Sequence, residues 1–127
     1  MPIGYKVVER AQPGVPGGGN KIYCAHAVSA EKISIKKIAR EIEKFSALSE
    51  PDIRGVIIAL QYVVINHLLE GRIVSLDDLG SMRVGISGNA FPTKEEVTKS
   101  AINSAHVIFH PGEDLRNTLK NAEFKKF

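Results

Sequence analysis

One cysteine is all the thiol in this chain, and tryptophan is absent. A lone Cys24 excludes an internal disulfide and fits a reducing compartment. It also leaves Cys24-x-His26 without a second cysteine or a partner spacing, so no metal is expected. No nucleophile stands beside a base: neither Ser81 nor Ser87 has a histidine in a recognised arrangement. The glycine run at 17–19 lacks the Lys-Ser/Thr of a phosphate loop and does not join a strand to a helix. No enzyme motif remains, and neither a cofactor nor a small-molecule substrate is expected. Charge of one sign is scarce too, with 17 Lys and Arg against 14 Asp and Glu and a net charge of +3. That balance tilts toward anionic partners but falls short of the density of a strong nucleic-acid binder. No basic start runs into an apolar stretch, so a signal peptide is not expected. Uninterrupted hydrophobic runs are missing as well. The most apolar stretch, residues 50–70, is broken by Arg54, Gln61, Asn66 and His67, and reads as a covered helix rather than a membrane span.

What is present is a succession of short elements with clear punctuation. A length of 127 residues fits one domain, or one domain with an appendage. Residues 5–10 and 21–28 read as strands, and between them Pro13, Gly14, Pro16 and Gly17 mark a flexible loop. They predict an N-terminal hairpin. An isolated hairpin is marginally stable, so it is expected to add to another sheet edge. A first helix starts near Ser34, with Ile35, Ile38, Ala39, Ile42 and Phe45 on one face. Lys36, Lys37, Arg40 and Lys44 on the other side read as a solvated face. Ser49 caps a second helix, with Pro51 in its first turn, Asp52 at the capping-box position and Gly71 as the C′ residue.

That second helix carries the main architectural inference. Ile53, Val56, Ile57, Leu60, Val64 and Leu68 form one apolar stripe, and Ile58, Ala59, Val63, Ile65 and Leu69 extend it around most of the circumference. Such a helix must be covered on more than one side. A second copy of the chain would do so, giving a two-fold homodimer with an intertwined core. The alternative is that the N-terminal hairpin covers the extra face. Beyond Gly71, residues 72–76 read as a strand, Asp77-Asp78 as a turn and residues 82–86 as the next strand, with Gly85 marking a bulge or bend. Residues 88–104 are a polar excursion, in which Thr93 and Glu96 form a capping-box pair. Residues 105–109 return as a strand, Pro111-Gly112 breaks it, and residues 113–121 form a short helix. The basic end, Lys125-Lys126, reads as frayed.

The order helix, apolar helix, strand, turn, Leu79-Gly80-Ser81-Met82, arm, strand, Phe109-His110-Pro111-Gly112, short helix resembles the HU/IHF family of bacterial histone-like DNA-binding proteins. The likeness spans about residues 33–122. The N-terminal strand Tyr5-Lys6-Val7-Val8-Glu9-Arg10 looks like the extension of the HU-related branch of Bacteroides-type bacteria. The resemblance implies an α+β fold: a helix-turn-helix base, a three-stranded antiparallel sheet with a protruding arm, a short C-terminal helix and the added hairpin. The domains expected are residues 1–32, 33–122 and a basic tail at 123–127. It further implies an intertwined homodimer, with Leu79, Met82 and Phe109 joining the helix stripe at the interface, though identical and different partner chains remain open. The partner implied is double-stranded DNA in the bacterial cytoplasm, condensed into the nucleoid through phosphate contacts and minor-groove arms, with no membrane.

The residues expected on DNA are Arg83, Lys94, Lys99, His106, His110, Gly112, Arg116 and Lys120. His106 and His110 share one face of a strand, a stripe whose charge follows pH, while Val107 and Phe109 point to the other, core face. The amides after Gly112 are candidates for a phosphate. The family's arm-tip Arg-Asn-Pro is missing; Phe91 or Pro92 is the candidate wedge. Glu95, Glu96 and Glu113 offset the cations, so a second reading stays open: an interaction or structural protein that keeps the fold without useful DNA affinity.

Overall fold

Period-two alternation at the start of the chain folds as strands. In a computed structural model, which describes residues 2–127, β1 (Ile3–Arg10) and β2 (Ile22–Val28) form an antiparallel hairpin with Gly4 opposite Val28 and Arg10 opposite Ile22. The free edge of β1 is taken by the far end of the same chain. There β6 (Phe124–Lys126) runs parallel to it, Gly4 opposite Lys125. The expectation of a frayed tail is therefore corrected. The Ile3 amide donates to the Glu123 carbonyl at 2.7 Å and the Phe127 amide to the Tyr5 carbonyl at 2.9 Å. The Phe127 ring lies over Gly4, in the space a Cβ there would occupy. The open edge of a two-stranded hairpin and an aromatic anchor together explain the docking.

The contacts divide the chain into two units, one of residues up to Ser34 together with Leu119–Phe127, the other Ile35–Thr118. The second unit begins with α1 (Ile35–Glu43), which packs on α2 (Glu50–Leu69). Ala39 and Ile53 are buried on the two helices. The face expected for α1 is cut short at Phe45, because the amides of Lys44 and Phe45 tighten the last turn onto Glu41 and Ile42; Phe45 is 82% exposed. Ser49 caps α2 as expected: its Oγ accepts from the Asp52 amide at 3.4 Å and donates to the Asp52 carboxylate at 2.8 Å. The other end is a Schellman motif. Gly71, at φ 76°, donates to the Leu68 carbonyl, and Arg72 donates to the His67 carbonyl.

Three antiparallel strands follow: β3 (Val74–Ser75), β4 (Gly80–Gly88) and β5 (Ile102–Pro111), with β4 in the centre. The first is shorter than the strand expected over 72–76, since Arg72 is held in the helix cap and a tight turn begins at Asp77, φ 51°. The ribbon of β4 and β5 runs longer than expected at both ends. Its irregularity lies between Ser87 and Gly88, not at Gly85: Ser87 opposes Ser104 and Gly88 opposes Ile102, leaving Asn103 unpaired in the register. Residues 89–101 form a compact loop with two 3-10 turns, Lys94–Glu96 and Lys99–Ala101. Thr93 does not cap the first of them; its hydroxyl bonds the Glu96 carboxylate instead, at 2.9 Å. The chain then enters α3 (Glu113–Lys120).

Only Ala39, Ile53 and Ala101 are buried among the described hydrophobic residues. Much of the apolar circumference of α2 is exposed, Val56 at 58% and Leu69 at 80%, while Ile57, Val64 and Leu68 are half-buried. By length and composition alone, α2 is also long and apolar enough to cross a membrane.

Candidate nucleic-acid interface

Strand geometry sorts the residues of the second unit's sheet into two faces. Register pairs Ser81 with His110, Arg83 with Ile108 and Gly85 with His106, so these six share one face. Met82, Val84 and Ile86 share the other with Phe109, Val107 and Ala105. The first face is polar and carries no acid. The second is apolar.

On the polar face the Arg83 Nε–H donates to His110 Nε2 at 3.2 Å. His106 stands opposite Gly85, and a Cβ at Gly85 would lie 2.6 Å from its Nε2. Gly85 is thus a regular strand residue whose missing side chain leaves room for an imidazole, rather than the bulge expected from sequence. Arg83, His106 and His110 are all exposed. His106 and His110 share a face, as their spacing implies, and the register sets Arg83 on that same face.

The apolar face is not covered within the single chain. Val107 and Phe109, read as core-facing and Phe109 also as an interface residue, are exposed in the single chain, Phe109 at 47%. Ile65, Leu68 and Leu69 of α2 and Val84, Ala105, His106 and Val107 of the sheet line an open cavity of about 340 Å³. Ile53, assigned to the interface stripe, is 4% exposed and belongs to the chain's own α1–α2 packing. Val56, Leu60 and Leu79 keep the exposed surface that such an interface requires.

The remaining candidates are scattered. Lys94 and Lys99 lie in the two turns of the loop beside Glu95 and Glu96, so that loop has no net charge. Phe91 and Pro92 sit on its rising limb rather than at its midpoint. The loop's base is clamped by the Asn89 amide on the Ala101 carbonyl (3.0 Å) and by the Asn103 side-chain amide on Asn89 Oδ1 (3.4 Å). Arg116 and Lys120 are one helical turn apart on α3, but Lys120 falls in the first unit.

Gly112 does not serve as a phosphate-binding amide. Its N–H donates to the Leu79 carbonyl at 3.0 Å, and its Cα is packed against the Asp78 and Asp77 carbonyls with no room for a Cβ. Glu113 and Asp114 then fill the first turn of α3 with negative charge. This helix start is built to suit its own dipole and repels a phosphate. Cys24 and His26, two apart on β2, share a face of the other sheet, and no group of three or more metal-ligating side chains forms among the described residues.

The HU-HIG family, described as an HU domain fused to wHTH, Ig, or glycine-rich motif, matches residues 1–126. No curated protein matches the chain. Among solved structures, the chain is similar to a protein of Bacteroides vulgatus ATCC 8482 that bears the provisional name of a bacterial DNA binding protein, at 20% identity and a TM-score of 0.69. The match covers 98% of this chain and 48% of that one, so this chain spans about half its neighbour's length.

Proposed function

The chain belongs to the HU-HIG family, and from that membership we propose that it binds double-stranded DNA as a homodimer, with little sequence preference and an architectural role in the bacterial nucleoid. The observation that carries this reading is the division of one sheet into an acid-free polar face bearing Arg83, His106 and His110 and an apolar face left bare. The polar face offers hydrogen-bond donors and positive charge to phosphates, which position a protein without reading bases. The apolar face and the exposed residues of α2, Val56 and Leu60 among them, are the surface a second copy covers. Covering by protein also accounts for Arg54, Gln61, Asn66 and His67 within α2, which a lipid-facing helix would not tolerate in such number.

Within the proposed HU-like domain, residues 33–122, the loop carrying Phe91 and Pro92 meets the minor groove, with Lys94 and Lys99 on flanking phosphates and Arg116 of α3 as a further cation. The name of the Bacteroides vulgatus neighbour agrees with this reading. A second reading, an HU fold kept for protein interaction, is favoured by one observation: the unit Ile35–Thr118 has ten Lys and Arg against eleven Asp and Glu.

Fluorescence anisotropy of a labelled duplex titrated at a series of salt concentrations separates the two. The DNA reading expects binding whose log–log slope against salt is about −0.9 per phosphate contacted. No binding at low salt, or a slope near zero, establishes the interaction protein instead.

A further inference from the structure

The charge of this chain is not where its HU-like elements are. The unit formed by residues up to Ser34 and Leu119–Phe127 holds seven Lys and Arg against three Asp and Glu, a net of +4, while the helix–sheet unit holds a net of −1. The registers of the first sheet show how that charge is presented. Lys6 and His26 are cross-strand partners, and Arg10 follows Lys6 at the spacing that returns to the same face. Lys125, opposite Gly4, joins them from the third strand. The parity is confirmed by Phe127, two residues beyond Lys125, whose ring occupies the Cβ direction of Gly4. Lys6, Arg10, His26 and Lys125 are all exposed. Of the acids at this sheet, Glu9 is on the opposite face and paired with Lys21 at 3.1 Å, while Glu123, just before β6, falls on the side of Lys125 and leaves the face with three Lys and Arg to one acid. Among the described residues, none of Lys6, Arg10 and Lys125 forms an ion pair.

We propose that this basic face of the terminal sheet is a second binding surface for the phosphate backbone of duplex DNA, and supplies a large part of the electrostatic affinity that the helix–sheet unit lacks. The inference rests on the DNA reading above and adds to it a separate surface. Phosphate neutralisation requires cations that are free of protein partners and aligned along a surface a backbone can follow. A row of alternate strand residues meets both conditions, and β6 is what extends that row across a third strand: without it, Lys125 would hang on a loose end. Val8, Ile22, Cys24 and Val28, all half-buried, share this face with the cations.

The test uses the whole chain and the same duplex. Lys6→Gln, Arg10→Gln and Lys125→Gln combined are compared with the unchanged protein, with Arg83→Gln, and with a matched pair of single variants, Lys125→Gln and Lys126→Gln. The matched pair removes the same charge from neighbouring positions on opposite faces of β6. The triple variant is expected to bind with a salt slope shallower by about 2.7, so that from 50 to 200 mM salt the unchanged protein loses about forty-fold more affinity than the variant does. Lys125→Gln should flatten the slope by about 0.9 and Lys126→Gln should leave it alone. Circular dichroism of each variant checks that the sheet persists; should the triple variant unfold, the matched pair decides.

A slope unchanged by Lys125→Gln or the triple, while Arg83→Gln weakens binding, overturns this surface and leaves the proposed function standing. Loss of slope in the triple with no effect of Arg83→Gln supports this surface and removes the sheet of the helix–sheet unit from the DNA contact. An equal effect of Lys125→Gln and Lys126→Gln shows net charge acting at a distance and overturns the surface. No binding by the unchanged protein overturns both readings.

Discussion

Gly112 shows how one residue can matter for a reason other than the one its neighbours advertise. Next to Pro111 and ahead of a helix, it has the position of a phosphate-binding amide. Its N–H is instead spent on the Leu79 carbonyl, and its bare Cα lets β5 turn against the Asp77–Leu79 turn. Any side chain there collides with the Asp78 carbonyl oxygen, which is backbone and cannot swing away. Gly112→Ala is therefore expected to destabilise the fold by about 1–3 kcal/mol, the usual range for forcing a methyl into filled space. Urea unfolding followed by far-ultraviolet dichroism measures this, and a midpoint equal to that of the unchanged protein contradicts it. Arg83 and His110 are the converse case. Both were read as phosphate ligands and both are exposed, but they are also bonded to each other. If this face is the proposed DNA contact, the bond restrains the guanidinium in advance and lowers the ordering cost of binding.

Among the elements, the two chain ends have the most to explain, because they build a sheet from segments more than a hundred residues apart. The hairpin alone offers β1 as an open edge, and a lone hairpin is marginal in water. Closing that edge with β6 gives the Ile3 amide an acceptor in Glu123 and the Phe127 amide an acceptor in Tyr5. Removing residues 123–127 is expected to free the Ile3 amide. Its hydrogen exchange should accelerate at least about tenfold, the equivalent of about 1.4 kcal/mol for a lost backbone bond. Amides of β1 that pair with β2 should change less. Exchange measured by NMR reads both, and an unaltered Ile3 rate shows that β6 contributes nothing to the sheet. At the same scale, α2 is defined by its ends. Ser49 and Gly71 were legible as cap and stop because capping chemistry is local, and each makes the bonds its type requires.

For the whole molecule, the question is what covers α2. Its apolar residues point in all directions, and Val56 and Leu60 are exposed in the single chain. Homodimerisation is the proposed answer, and it is testable apart from DNA. In sedimentation velocity at low micromolar concentration the unchanged protein is expected as a dimer. Leu60→Asp places an uncompensated carboxylate at the interface of each copy, at a cost of about 3–5 kcal/mol, more than about a hundredfold in Kd. That variant should sediment as a single chain with its helical dichroism reduced. A monomeric unchanged protein, or a Leu60→Asp dimer as tight as the original, contradicts the proposal. If the dimer is what presents the polar sheet face to DNA, Leu60→Asp must also weaken duplex binding.

Element identity, the helix caps and the family likeness were legible in the order of residues, because periodicity and capping depend on neighbours a few positions away. The likeness rested on Leu79-Gly80-Ser81-Met82 and Phe109-His110-Pro111-Gly112, and the family match bears it out. What tertiary structure alone decided is where long-range pairing overrides local signals. It moved the strand irregularity from Gly85 to Gly88, turned a polar tail into β6, and occupied the Gly112 amide. The cations Lys6, Arg10 and Lys125 show the difference most clearly. Alternation along β1 gives the first two a common face from sequence, but only the register of a strand from the opposite end of the chain sets Lys125 beside them.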